Sequence, residues 1–413
     1  MRVAAILLSI VLFFEATYCF LVFTNISTIK YWREQYIATA LSTMDHHWLA
    51  EWFLPEYMVE DIRDKKQQAQ LQQQDNVSQR PVATAPTEAD PDAPTESVAE
   101  STAPTETVPG EDPAETAFYD LFWELNRSTF EAYVEDHPEV LSNGWENIKI
   151  NEAGISDKGT SIYTSMGEQV LAIDAKNKIL LIRVQGTGYL GILAVGKDPA
   201  QLRCEASSGI GSYGQDIGTI CRNSDGIIGI TGSGFMDPEG QGNGGLVSGL
   251  AVCEGKRYGA SSPYNLPKRI ELTEDNKLYI ANASSPVASD VTDAVEFDPA
   301  LIVDGNLTVD GYNSYNGINP RAALGQSSRG EILMLVIEGR QIGRSIGTDV
   351  ETCAKILMRH DAYTAMNLDG GTSAVMWYDG EYVTKCSNAN IQCRSLPNAW
   401  VYGNYEYFAN NLL

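Results

Sequence analysis

The sequence predicts an α+β fold, a mixed β-sheet core with packed helices, preceded by a transmembrane anchor and a disordered acidic spacer rich in Pro and Thr. Three observations support this prediction. The 413-residue chain opens with an apolar run from Val3 to Phe23. A stretch from Val82 to Ala117 then has almost no large apolar residues. Beyond about residue 151, short β-rich runs alternate with Gly, Asn and Asp, as in proteins built of strands and turns.

The apolar run is long enough to cross a bilayer, which takes about 20 residues in helical form. It is longer than the core of a usual signal peptide, and no small-x-small cleavage site ends it. We therefore expect residues 1–28 to be an uncleaved signal anchor, the alternative being a cleaved signal. Residues 29–75 have helical character and many Trp and Tyr residues, which favour the membrane–water interface. We expect them to form a juxtamembrane helical segment.

Residues 76–116 are predicted to be a disordered spacer. From Val82 to Ala117 there are nine acidic and no basic residues, and the unit Ala-Pro-Thr-Glu occurs three times. Such a segment buries too little apolar surface to fold, while Pro and like charges extend it. The whole chain has a net charge of -25, which argues against a nucleic-acid partner because phosphate backbones require Lys and Arg.

The remaining chain divides into a helical lead-in at residues 117–150 and a main domain at 151–413. A helix is marked in the main domain between the strand Ile332–Glu338 and the strand-like Ala365–Leu368. Thr348 is its predicted N-cap, with Glu351 completing a capping box. The order strand, helix, strand favours a mixed sheet with helices packed on it.

Six of the seven cysteines follow the spacer. An even number in a chain with an export signal predicts disulfides. Cys386 and Cys393 enclose a short loop and are the first expected pair. The other expected pairs are Cys204 with Cys221 and Cys253 with Cys353. The alternative is a set of reduced, buried thiols.

Polar clusters follow three hydrophobic strands, where open sheets place ligand sites. The clusters are Asn319-Pro320-Arg321, Glu338-Gly339-Arg340 and Asn367-Leu368-Asp369-Gly370-Gly371-Thr372-Ser373. In the third cluster, two glycines let the backbone approach a ligand closely, exposed N–H groups form an anion-binding nest, and two hydroxyls add donors. The alternative is a plain turn in which Asp369 caps its own backbone.

Three arginines are candidate ligands of an anionic substrate: Arg321, Arg340 and Arg394. A guanidinium binds phosphate through two parallel hydrogen bonds. For any one of them the alternative is a salt bridge with a carboxylate, but association with polar strand ends favours a phosphate pocket.

Several segments, in order along residues 170–403, resemble the phosphodiester glycosidase family. They are the three polar clusters, the segment from Ile230 to Asp237, and Arg394-Ser395-Leu396-Pro397-Asn398-Ala399. The chain differs from the usual family pattern at Thr231 (usually Asn), Ala322 (often Thr) and Thr372 (usually Gly).

The resemblance implies hydrolysis of the glycosidic bond of a sugar-1-phosphodiester, which releases the sugar and leaves a phosphomonoester. It implies an α+β catalytic domain at residues 151–413, with Asp369 as nucleophile or base and Glu338 as second carboxylate. The three arginines would bind phosphate. Asn319, Asn367 and Asn398 would orient sugar hydroxyls or neighbouring side chains, and Gly370, Gly371, Thr372 and Ser373 would line the pocket. We expect no cofactor; no metal motif is visible, although acidic sites bind Ca²⁺.

The leading hypothesis is therefore a membrane-anchored hydrolase with an extracytoplasmic catalytic domain, acting on phosphodiesters of cell-envelope or extracellular glycans. The first alternative is a catalytically inactive cell-surface module that binds phosphorylated glycans. The second is a structural surface protein whose glycine-rich segments are only turns.

Overall fold

The computed structural model describes residues 2–43, 47–73, 75–80, 112–156, 158–238, 241–261, 268–309 and 317–403. The predicted α+β class is confirmed: these residues form eight α-helices and three antiparallel sheets. Most of the predicted spacer, residues 81–111, lies outside the described ranges.

The helices fall into an N-terminal group and a group in the main domain. They are α1 Arg2–Phe23, α2 Ser27–Leu41, α3 Trp48–Phe53, α4 Glu56–Gln72, α5 Pro113–Leu121, α6 Arg127–Asp136, α7 Ile217–Asn223 and α8 Val350–Arg359. The last four all begin after an Asp or Asn whose side chain accepts a hydrogen bond from a backbone N–H of the first turn. Such caps satisfy donors that have no partner within the helix.

The strands form one large sheet and two smaller ones. They are β1 Lys149–Asn151, β2 Val170–Asp174, β3 Ile179–Gly186, β4 Tyr189–Gly196, β5 Leu202–Ala206, β6 Gly226–Thr231, β7 Leu250–Cys253, β8 Lys256–Gly259, β9 Lys268–Thr273, β10 Leu278–Asn282, β11 Val291–Phe297, β12 Ala300–Val303, β13 Asn306–Leu307, β14 Arg321–Ser327, β15 Ile332–Ile337, β16 Ala362–Asn367, β17 Trp377–Tyr378, β18 Glu381–Tyr382 and β19 Asn398–Gly403. The nine-stranded sheet has the order β1-β2-β3-β4-β15-β14-β16-β12-β13. The five-stranded sheets have the orders β10-β9-β11-β7-β8 and β18-β17-β6-β19-β5.

The large sheet is antiparallel where a mixed sheet was expected. The predicted strand–helix–strand unit exists as β15, α8 and β16, but β14 lies between the two strands and pairs antiparallel with both. The tight turn from β14 to β15 makes a hairpin, and α8 then carries the chain back to the other edge of β14. Strands β15 and β16 therefore run in the same direction without pairing with each other.

Helix α8 begins one residue later than predicted. Asp349, rather than Thr348, is its N-cap and accepts a hydrogen bond from Thr352 N at 2.7 Å. Thr348 instead exchanges backbone hydrogen bonds with Asn319, at 2.9 and 3.0 Å. This pairing explains why the helix begins later, because the Thr348 backbone is already bonded to Asn319.

Both faces of the large sheet are buried, and alternate residues of β3 show why. Ile179 and Leu181 pack in one core with residues of the two smaller sheets, whereas Leu180 and Ile182 pack in a second core with α5, α6 and α8. Successive side chains of a strand point to opposite faces, so one apolar strand serves two cores. The domain thus has three layers: helices, the large sheet and the pair of smaller sheets.

The N-terminal helices form their own small core and also contact the main domain. Helix α1 is long and apolar enough to cross a membrane, with a mean hydropathy of 2.3 over its best window. Residues of α2, α3 and α4 pack together around Ile37, Val59 and Ile62. Beyond α4, Ser78 N donates to Ile280 O at 2.8 Å, which ties the start of the predicted spacer to strand β10.

All seven cysteines are free thiols in the structure. The sulfur of Cys204 lies 3.4 Å from that of Cys253, so its nearest cysteine partner differs from the predicted Cys221. Burial raises the pKa of Cys204 well above its usual value. Of the six cysteines that follow the spacer, five are buried and Cys393 is half-buried.

Candidate active site

Loops after several strands converge at one edge of the large sheet. Gly371 has a φ of +59° and its N–H donates to Pro320 O at 3.1 Å. A Cβ atom at Gly370 would lie 2.8 Å from the same carbonyl oxygen. The two glycines are therefore required for the Asp369 loop to pass directly against the Asn319-Pro320 loop.

Asp369 is a half-buried residue at the start of this turn. Burial of most of its carboxyl raises its pKa to about 6, and the nearby charge of Asp237 acts in the same direction. A hydrogen bond from Ser373 and the charge of Arg394 oppose this shift. A carboxyl with this pKa changes its charge close to neutral pH, which suits proton transfer or nucleophilic attack.

Arg394 is held beside Asp369 by an ion pair. Its Nη1 lies 2.8 Å from Asp237 Oδ2, and its guanidinium stacks over the Phe235 ring at 4.5 Å. The other oxygen of Asp237 accepts a hydrogen bond from Gly242 N at 2.6 Å. Asp237 thus fixes the arginine and supplies a second carboxylate near Asp369.

Arg340 reaches the site at Gly371. It is exposed, its backbone has a φ of +59°, and its guanidinium lies against Gly371. Arg340 Nη2 donates to Asn319 Oδ1 at 3.2 Å. The Asn319 amide in turn donates to Ser42 Oγ at 2.9 Å, so a residue just beyond α2 completes this chain of hydrogen bonds.

Arg321 lies beneath the site rather than in it. It is 7% exposed, and its guanidinium donates to Thr348 O at 3.1 Å and to Gly317 O at 2.8 Å. Burial lowers its pKa. The geometry makes Arg321 a clamp that holds two site loops together.

Glu338 is directed away from the converging loops. It forms a bidentate ion pair with Arg344, and its Oε1 also accepts a hydrogen bond from Lys385 N at 2.8 Å. The carboxylate is 2% exposed. These contacts use both carboxylate oxygens to join two loops behind Arg340.

The two remaining asparagines are buried supports. Asn367 Nδ2 donates to Asp298 O at 2.8 Å, while its Oδ1 has no hydrogen-bond partner among the described residues. Asn398 is fully buried and holds Ser233 through both ends of its amide, at 2.7 and 2.9 Å. A Cβ at Gly232 would lie 2.0 Å from the Asn398 amide oxygen, so only glycine fits that position.

The structure therefore brings together part of the predicted set. Its members around the open edge are Asp369, Gly370, Gly371, Ser373, Asn319, Arg340 and Arg394. Thr372 lies at the margin, where its hydroxyl accepts a hydrogen bond from Ser387 Oγ at 3.3 Å. Arg321, Glu338, Asn367 and Asn398 lie behind this surface in the loops and strands that support it.

Two residues of the site were not among the sequence-predicted set. Asp237 ends the segment that resembles a family motif, so the resemblance contained a signal for it. Ser42 had none, because it lies 277 residues from Asn319 in the sequence. Within the described ranges, no group of three or more His, Cys, Asp or Glu residues is arranged to hold a metal ion.

Comparison with known proteins gives one family and several solved structures. Residues 224–402 match the model of the phosphodiester glycosidase family. The zebrafish N-acetylglucosamine-1-phosphodiester α-N-acetylglucosaminidase catalytic domain, auto-inhibited by its pro-peptide, is 14% identical; the match covers 64% of this chain and 90% of that one, with a TM-score of 0.44. A hypothetical protein from Synechocystis is 14% identical over 58% of this chain and 65% of that one, with a TM-score of 0.40. No curated protein sequence matches the chain.

The family match includes every residue of the candidate site except Ser42. It begins within the main domain and ends one residue before the last described residue, Gly403. The resemblance drawn from the sequence motifs is confirmed, since residues 224–402 match the phosphodiester glycosidase family.

Proposed function

We propose that this protein is a membrane-anchored, extracytoplasmic hydrolase that cleaves the glycosidic C–O bond of a sugar-1-phosphodiester. Water supplies the new hydroxyl of the sugar, and the other product is a phosphomonoester. One observation carries this proposal: within the segment that matches the phosphodiester glycosidase family, the Asp369 carboxyl has a pKa of about 6 and lies beside Arg394, while Arg340 lies against Gly371 of the same turn.

Asp369 is the proposed reactive group, in its ionised form, either attacking the anomeric carbon or activating the water that does so. The transition state of glycoside cleavage carries positive charge on the sugar, which an adjacent carboxylate stabilises. The departing phosphate monoester has a second pKa of about 6, so it leaves without a strong general acid.

Arg340 is the proposed main ligand of the phosphate, with Arg394 as the second cation. Arg340 is exposed at the rim and lies against Gly371, and its guanidinium can bind a phosphate through two parallel hydrogen bonds. Arg321 contributes indirectly, because its contacts to Gly317 and Thr348 hold the loop that carries Asn319.

Glu338, expected to act as a second carboxylate, is better suited to a supporting role. Its ion pair with Arg344 and its hydrogen bond from Lys385 N occupy both oxygens. The second carboxylate near Asp369 is Asp237, where Glu338 was expected. We propose that Asp237 positions Arg394 and does not contact the sugar.

The decisive test is the position of bond cleavage. The full chain, purified in detergent, would be incubated in ¹⁸O-labelled water with a panel of sugar-1-phosphodiesters. Glycosidic cleavage predicts a phosphomonoester free of ¹⁸O. Label in the phosphate would show P–O cleavage and refute a glycosidase, and saturable binding without turnover would leave a phosphoglycan-binding module.

A further inference from the structure

Helices α2 and α3 connect the candidate site to the predicted membrane anchor. Arg33 of α2 donates to Leu21 O at 2.9 Å and to Thr24 O at 3.1 Å, both at the end of α1. Arg33 is 12 residues after Leu21. If α2 continued straight from α1, the backbones of these two residues would be about 18 Å apart along the helix axis, farther than an arginine side chain reaches. Helix α2 therefore folds across the end of α1.

Helix α3 reaches deeper along α1. Tyr18 Oη donates to Phe53 O at 2.7 Å, which joins the end of α3 to the last third of α1. Tyr18 lies five residues before the end of α1, about 7.5 Å along the helix axis. When α1 spans a bilayer, the end of α3 lies in the outermost part of the apolar core, just beneath the headgroups.

The side chains exposed at this depth are those that favour a membrane interface. Trp52 is 78% exposed, Phe53 54% and Tyr57 63%. Trp52 also packs against Trp48, with ring centroids 5.3 Å apart. Trp and Tyr are enriched at membrane–water interfaces, and Phe53 of this patch is joined to α1 by the hydrogen bond from Tyr18.

The same helical segment contacts the catalytic loops. Thr39 Oγ1 accepts a hydrogen bond from Ile318 N at 3.0 Å, and Ser42 holds the Asn319 amide. The 15 residues of α2 extend over only about 22 Å. The candidate phosphate site is therefore separated from the bilayer surface by no more than the length of one short helix. The spacer follows α2 to α4 in the sequence, so it does not lie between the anchor and this contact.

The rim of the site also has apolar character. Met236, next to Asp237, is 58% exposed, and Leu246, whose backbone bonds to Met236, is 54% exposed. A charged floor beside an exposed apolar rim suits an amphiphilic ligand rather than a fully hydrated one.

From this geometry we infer that the substrate is borne by the membrane: a sugar-1-phosphodiester whose second ester is a lipid, cleaved in the headgroup layer by the anchored enzyme. This inference rests on the proposed function. Helices α2 and α3 hold the site at the headgroups, so the lipid remains in the bilayer while its phosphate reaches Arg340 and the sugar reaches Asp369.

The test uses the full chain reconstituted in zwitterionic phosphatidylcholine vesicles. Two substrates share one sugar: a dialkyl-glycerol phosphodiester mixed into the same bilayer and a water-soluble methyl phosphodiester. Trp52→Ala together with Phe53→Ala removes exposed aromatic surface, and Tyr363→Ala, 48% exposed on β16, is the matched control. Quenching of Trp fluorescence by brominated acyl chains reports depth independently of activity; because the chain has seven tryptophans, the quenching that wild type shows in excess of Trp52→Phe gives the contribution of Trp52.

We expect the lipid substrate to be preferred by the wild-type chain at least tenfold in kcat/KM. The double variant should lose most of that preference, while its rate on the methyl ester stays unchanged; Tyr363→Ala should resemble wild type in both preference and quenching. Equal rates on both substrates, or unquenched Trp52, would overturn membrane capture but leave the glycosidase activity standing. Turnover of neither substrate would refute the proposed function and, with it, the substrate assignment.

Discussion

Asp237 and Arg394 form an ion pair at 2.8 Å that lies beside Asp369 and acts on its charge. The two members act in opposite directions: Arg394 lowers the pKa of Asp369, and Asp237 raises it. Because Asp237 is also bonded to Gly242 N, the pair is fixed in position. The ionisation of Asp369, the proposed reactive carboxyl, is therefore set in part by Asp237, which lies 157 positions before Arg394 in the sequence.

Asp237→Asn tests this relationship. Loss of the negative charge removes one influence that raises the pKa of Asp369, and it leaves the charge of Arg394 uncompensated. Both effects lower that pKa, so the acidic limb of kcat/KM against pH should move below about 6. Asp275→Asn, in the exposed β9–β10 turn, is the matched control and should leave the limb in place. An unmoved or raised limb in Asp237→Asn would contradict the arrangement.

Asp369→Asn should make the protein more stable at neutral pH. The pKa of Asp369 is raised to about 6 by burial, above the usual value of about 3.9, so its favourable contribution exists below pH 4 and is lost as pH rises through 6. The neutral amide avoids that loss and should gain about 1–2 kcal/mol at pH 7.

Thermal unfolding of both proteins in detergent, at pH 4 and at pH 7, measures this difference. The melting temperatures should nearly coincide at pH 4 and separate at pH 7, with the variant higher. A variant that melts lower than wild type at pH 7 would show that the ionised carboxylate stabilises the fold.

Ser42→Ala should weaken substrate binding from outside the catalytic domain. It removes one hydrogen-bond partner of the Asn319 side-chain amide, whose oxygen accepts the hydrogen bond from Arg340. Loss of one hydrogen bond of this kind costs about 0.5–1.5 kcal/mol, so KM should rise roughly twofold to tenfold with little change in kcat. Thr43→Ala is the control, because the bond that the Thr43 hydroxyl makes among the described residues is local, to Ala40 O at 2.8 Å. Equal KM values for wild type and Ser42→Ala would show that Arg340 does not depend on this contact.

Glu338→Gln distinguishes a supporting residue from a reactive one. Removal of the charge leaves Arg344 without its buried partner, and breaking such pairs costs about 3 kcal/mol when both members are buried. Since Arg344 is 30% exposed, we expect a smaller loss of stability, about 1–2 kcal/mol, and nearly full activity per folded molecule. A stable but inactive Glu338→Gln protein would restore Glu338 as the second carboxylate.

The sequence was sufficient for the local parts of the site. The Asp369-Gly370-Gly371 turn could be predicted because close backbone approach requires glycine, and Gly371 indeed has a positive φ. Contacts between distant segments could not be predicted in the same way. Nothing in the residues near Arg394 or Asn319 indicates that their partners are Asp237 and Ser42.

The same limit applies to the fold. The apolar stripe of α8 and the strands beside it were visible as patterns, but the insertion of β14 between β15 and β16 depends on a hairpin that periodicity does not encode. Likewise, the position of Glu338 at a strand end suggested a carboxylate free to act on a substrate. Its ion pair with Arg344 forms only when the following loop folds back, which the sequence pattern does not indicate.

The most direct test of the central claim is the rate of sugar release from a sugar-1-phosphodiester by the full chain and by Asp369→Asn, compared at pH 7. Wild type should turn over, and the variant should fall by a factor of about 10² or more while remaining folded, because it loses the reactive carboxylate. Wild-type turnover that survives unchanged in Asp369→Asn would contradict the account and place the chemistry elsewhere.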